Sequence, residues 1–95
     1  MEHPENLDIA FGRTLRAYRD KTGLTQAALA QLAGTSTSYI GYLEAGQRMP
    51  TLGTFLTLAT VLNIAPQELL EATIRLMNTL QGLDVQKSSP DTPVG

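Results

Sequence analysis

Between residues 7 and 83 the apolar positions recur at helical spacing, and no segment alternates with period two. Phe11, Leu15 and Tyr18 fall at i, i+4 and i+7, which predicts a first helix from about Leu7 to Lys21, stopped by Thr22-Gly23. Thr25 is placed to N-cap a second helix over Gln26 to Ala33, with Leu29, Ala30 and Ala33 inward and Gly34 behind it. Ser36 N-caps a third helix reaching Ala45, with Ile40 and Leu43 inward. Pro50 and Thr51 open a fourth through Leu62, expected to bury Phe55, Leu56, Ala59 and Leu62, with Asn63 at its C′ position. Pro66, Gln67 and Glu68 suit the first turn of a fifth, which runs to Gln81 before Gly82. Residues 1–6 read as a loose arm. Residues 84–95, rich in Ser and Pro, read as a disordered tail, because they offer too little apolar surface to offset chain entropy.

The second and third helices flank one tight turn. Ala30 lies where they meet, and a larger side chain would push them apart. Gly34 follows at the turn, where positive φ is needed, and Ile40 plugs the angle between the helices. That Ala-Gly-Ile spacing is what a roughly right-angle helix pair requires.

Composition narrows the chemistry. With no Cys and a single His, His3, there is no thiol nucleophile and no basis for a metal site. Single, scattered carboxylates such as Glu44 and Glu68 give no acid–base pair, so an enzyme is not expected, nor a cofactor or small-molecule substrate. No apolar run approaches the ~20 residues of a membrane span, and the expected location is the cytoplasm. The net charge of −2 is concentrated at the ends: from Leu7 to Leu70 five basic residues (Arg13, Arg16, Arg19, Lys21, Arg48) face four acidic ones. The global charge therefore neither supports nor forbids nucleic-acid binding.

Residues 11–70 resemble the Cro and phage-repressor type of helix-turn-helix domain, the xenobiotic-response-element family. The resemblance is carried by Phe11-Gly12, Leu15-Arg16, Arg19, Gly23-Leu24-Thr25-Gln26, Leu29-Ala30, Gly34, Ser36, Ile40, Glu44, Gly46, Pro50, Leu58-Ala59, Leu62 and Glu68-Leu69-Leu70, in register without an internal gap. It implies an all-α, five-helix, lambda-repressor-like bundle with an extended fifth helix, in which the third helix reads the DNA major groove. Carried over position by position, Thr37, Ser38, Gly41 and Tyr42 face the bases. Thr25, Gln26, Ser36, Tyr39 and Arg48 face phosphates, and Arg19 pairs with Glu44. The third helix departs from many relatives in having neither Arg nor Lys, which predicts modest affinity per monomer, shape readout and a shallow salt dependence.

One domain covers one half-site, so a homodimer on a two-fold operator is expected. The fifth helix (about 66–83) has surplus apolar residues for it, with Leu70, Ile74, Met77 and Leu80 as the contact. The function implied is a dimeric, sequence-specific transcriptional regulator of the repressor kind. The alternative is a protein-interaction module that keeps this fold with weak or no DNA binding.

Overall fold

In the computed structural model, residues 4–82 are described, and the expected disordered tail lies outside them. Five helices follow in order: α1 (Leu7–Thr22), α2 (Gln26–Ala33), α3 (Thr37–Glu44), α4 (Leu52–Val61) and α5 (Pro66–Leu80). Among the described residues there is no strand. The architecture is the all-α bundle anticipated, and the element ends follow local chemistry. Thr25, Ser36 and Thr51 each adopt extended backbone and accept a hydrogen bond from the N–H three residues on. Gly34 ends α2 at φ 74°, and Asn63 occupies the left-handed region after α4 at φ 57°. Pro66 opens α5, where a missing N–H costs nothing.

α1 packs on α3 and α5, α2 on α3 and α4, and α4 on α5. Phe11, Leu15, Leu29, Ile40, Leu43, Leu58 and Leu69 meet in one core from which solvent is excluded. Phe11 and Phe55 pack with tilted rings 5.8 Å apart, tying α1 to α4. Thr73 is buried within α5, and its hydroxyl donates to the Leu69 carbonyl, so it leaves no orphan polar atom. Pro4 to Asn6, the described end of the expected arm, form a turn, and the Glu5 carbonyl accepts from Gln81 Nε2 at the far end of α5.

One inward assignment is corrected. Leu56 is exposed, and Leu58 takes the core position. Helix α4 is apolar on nearly all sides, so its period alone does not select a face; the contacts with α2 and α5 do. Leu58, Ala59 and Leu62 turn inward, leaving Leu52 and Leu56 on the outside.

Candidate nucleic-acid interface

Helices α2 and α3 each begin on an exposed hydroxyl residue. Thr25 Oγ1 accepts from the Ala28 N–H and Ser36 Oγ from the Tyr39 N–H, both at 3.0 Å. Each hydroxyl keeps its own proton to donate, and the first-turn N–H groups beside it have no partner within the helix. Both helix starts are therefore suited to an oxyanion such as a phosphate.

On α3, Ile40 and Leu43 are fully buried, and Thr37, Ser38 and Tyr42 stand exposed on the other side, with Gly41 between them. The expected base-facing set thus shares one outer surface. Tyr39 is different: it is half-buried and packs against the core, so its ring belongs to the edge of the hydrophobic cluster. At Gly41 the surface is shaped by a neighbour, because a Cβ there would meet only Gln26 Oε1, at 4.0 Å.

Behind this face lies a compact polar network. Arg19 Nε donates to Glu44 Oε2 at 2.6 Å and Nη2 to Oε1 at 3.0 Å, a bidentate pair joining α1 to the last turn of α3. Arg19 Nη1 also donates to the Leu24 carbonyl at 2.8 Å, pinning the α1–α2 loop. The two side chains are only 11% and 5% exposed, so the expected structural pair is a buried one. The hydrogen bonds Arg19 donates to Glu44 raise its pKa above the ordinary value against the opposing effect of burial, with the charges of Glu44 and Asp20 adding to the rise. A cation with a raised folded pKa loses its stabilisation only as pH climbs through that alkaline range, so the arginine stays charged at every working pH.

The network also reaches Gln26, whose Nε2 donates to Glu44 Oε1 at 2.9 Å. Sequence reasoning assigned Gln26 to a phosphate and did not foresee this bond. One amide N–H is now committed inward, which fixes the amide orientation and leaves the second N–H and the carbonyl oxygen for an outside partner. No local pattern signals such a contact across 18 positions.

Cations are unevenly free. Arg16 lies 3.8 Å from Asp20 and Arg75 lies 3.5 Å from Glu71, while Lys21 sits 5.0 Å from the centre of the Tyr18 ring. Arg48 stands over the Tyr42 ring at 5.2 Å. Among the described residues no three potential metal ligands cluster.

A second surface lies on α4 and α5. Of the expected dimer residues, Leu70 (48% exposed) and Ile74 project outward, and Met77 and Leu80 are half-buried. Leu52, 74% exposed, and Leu56 extend the stripe on α4, one helical turn apart as Leu70 and Ile74 are on α5. An apolar groove of about 280 Å³, lined by Leu7, Phe11, Leu52, Phe55 and Leu70 among others, separates the two rows. The α4 half of this surface was not anticipated, because Leu56 was placed in the core.

A family model described as "Helix-turn-helix domain" matches residues 10–72. The chain is 41% identical over 59 residues to the uncharacterized HTH-type transcriptional regulator YazB of Bacillus subtilis, covering 62% of this chain and 86% of that protein. It is 39% identical over 60 residues to the control protein C.SmaI of Serratia marcescens, covering 63% of this chain and 71% of the relative. Among solved structures, the restriction-modification controller protein C.AhdI from Aeromonas hydrophila superposes with a TM-score of 0.62 at 48% identity, covering 64% of this chain and 92% of that one.

Proposed function

The chain belongs to the helix-turn-helix domain family and is a DNA-binding transcriptional regulator of that kind, and from this premise we propose that it acts as a two-fold dimeric repressor, with α3 of each protomer seated in the major groove. The observation that carries the reading is the exposure of Thr37, Ser38 and Tyr42 on one face of α3, flanked by two capped helix starts. The Thr37 and Ser38 hydroxyls donate or accept at base edges, and the Thr37 methyl packs on a thymine methyl. Thr25, Gln26, Ser36 and Arg48 take phosphates, setting the register of the helix on the duplex. Tyr39, half-buried beside the core, joins them only with the part it leaves exposed. The likeness to C.AhdI, a restriction-modification controller, favours a controller role for this chain too. Among the described residues no helix is long and apolar enough to cross a membrane, and we place the protein in the cytoplasm with the DNA it binds.

Selection of bound sites from random duplex DNA at two salt concentrations tests the reading. The expected product is a pair of inverted half-sites about one helical turn (~34 Å) apart, bound more weakly at the higher salt. Recovery of no preferred sequence, with a protein partner captured instead, would assign the chain to interaction rather than regulation.

The dimer is proposed to form through Leu70, Ile74, Met77 and Leu80 together with Leu52 and Leu56, burying an apolar stripe that a lone protomer leaves in water. Sedimentation at high micromolar concentration should give twice the chain mass. Ile74→Glu and, separately, Leu52→Glu should give monomers that keep their helical content and bind the paired site about 100-fold more weakly, as loss of linkage between two half-sites predicts. A wild-type chain that sediments as a monomer sinks the dimer.

A further inference from the structure

The outer face of α3 has no cation of its own, yet the fold brings one to it. After α3 the Gln47 N–H bonds back to the Tyr42 carbonyl at 2.9 Å and the Gly46 N–H to that of Leu43 at 3.1 Å. This double closure fixes the backbone that leads directly into Arg48. The Arg48 guanidinium carbon stands 5.2 Å from the centre of the Tyr42 ring, and both residues are exposed, Tyr42 by 44%. Among the described residues no carboxylate lies within ion-pair distance of Arg48 or of Arg13, whereas Arg16 and Arg75 each have one and Arg19 has two.

We propose that Tyr42 is a platform that holds the Arg48 guanidinium at the edge of the recognition face, and that this cation–π pair supplies the bidentate cationic donor α3 lacks. The proposal rests on the DNA-binding reading above, makes Tyr42 a support rather than a base reader within it, and opens a guanine edge to Arg48 beside the phosphate assigned to it there. This cation–π contact draws on the ring face and the guanidinium charge and engages none of the five N–H donors, which stay available to a ligand. The matching acceptor on a duplex is a pair of adjacent lone-pair atoms. Both the O6 and N7 edge of a guanine and two oxygens of one phosphate present such a pair. Holding the long arginine side chain before the encounter also lessens the entropy lost when it binds. Tyr42 is thereby a positioning residue, and its ring rather than its hydroxyl is what matters.

The test is a four-member cycle of the wild type, Tyr42→Ala, Arg48→Ala and the double variant. Tyr42→Phe and Arg48→Lys are added, and binding to the selected duplex is titrated by fluorescence anisotropy across a salt series. Both side chains are exposed, so thermal melting should place all variants beside the wild type. Arg48→Ala is expected to weaken binding about tenfold, the value of one good bidentate contact. Tyr42→Ala should weaken it about three- to fivefold when Arg48 is present, as an exposed cation–π pair allows, and hardly at all when Arg48 is absent. Tyr42→Phe should match the wild type, and Arg48→Lys should lose most of what Arg48→Ala loses. Loss of preference at a single base pair identifies a guanine edge as the acceptor. A uniform loss with a salt slope smaller by about one identifies a phosphate. Additive losses in the cycle, an Arg48→Lys protein equal to wild type, or a Tyr42→Phe protein as weak as Tyr42→Ala would each overturn the platform while leaving DNA binding intact. A wild-type chain that binds no duplex defeats both readings.

Discussion

Glu44→Ala is expected to cost about 3 kcal/mol of folding stability, because it strips a largely buried arginine of its bidentate carboxylate and leaves it only the exposed Asp20, 3.5 Å away. Arg19 has nowhere to go: its Nη1 stays bonded to the Leu24 carbonyl, and the side chain is 11% exposed. Gln26 loses its acceptor in the same step. For a domain of this size the loss corresponds to a fall in Tm of roughly 15 °C. The Arg75–Glu71 pair on α5 is a useful contrast within the same molecule. Its side chains are 67% and 69% exposed, and Glu71→Ala should cost well under about 1 kcal/mol. Urea denaturation followed by far-UV circular dichroism gives both numbers. If Glu44→Ala proves as mild as Glu71→Ala, the network behind α3 does not hold it. Replacing both partners by apolar residues, Arg19→Met with Glu44→Leu, should be less damaging than Glu44→Ala alone, since no unpaired charge remains. The double variant separates the two roles of the network: it recovers stability but leaves the Gln26 amide unfixed, so DNA affinity should stay below that of the wild type.

Much of this architecture is written locally, in residues that act within a few positions of themselves. Thr25, Ser36 and Thr51 announce the helix starts because a hydroxyl at that position reaches an N–H three residues on. The Ala30, Gly34, Ile40 spacing encodes the angle between α2 and α3, because each residue solves a steric problem peculiar to that turn. The Arg19–Glu44 pair was available from the family resemblance, though its third member, Gln26, was not. What escaped the sequence depends on other helices. Leu56 and Leu58 are chemically identical, and only the neighbours of α4 decide which is inside. The Tyr42–Arg48 cation–π contact depends on how the loop after α3 folds back, so neither residue alone suggests it. Exposure of Thr37 and Ser38 is of the first kind: with Ile40 and Leu43 committed to the core, helical geometry leaves them facing out.

Gly12 is of the second kind and yields the other large effect. It lies in the middle of α1, where an exposed glycine would be a weakness and Ala would gain about 1 kcal/mol. Here the sign reverses. A Cβ on Gly12 would stand 2.7 Å from the Glu44 carbonyl oxygen and closer still to that of Leu43. These are backbone atoms of the last turn of α3 and cannot rotate aside, so α1 and α3 must separate. Separation opens the core that Phe11 and Leu43 share and strains the Arg19–Glu44 bridge that joins the same two helices. Overpacking of this sort exceeds the propensity gain, and Gly12→Ala is expected to lose about 3 kcal/mol net. Because the displaced element is the helix proposed to enter the major groove, DNA affinity should drop even at temperatures where the variant remains fully folded. Gly53→Ala on α4 supplies the opposite case. The nearest atom to a Cβ there is Thr51 Oγ1 at 3.9 Å, an ordinary contact, and the change should stabilise by up to about 1 kcal/mol. Thermal melting of the two variants side by side decides the point: a Gly12→Ala protein that melts with or above the wild type would mean that α1 does not set the seat of α3.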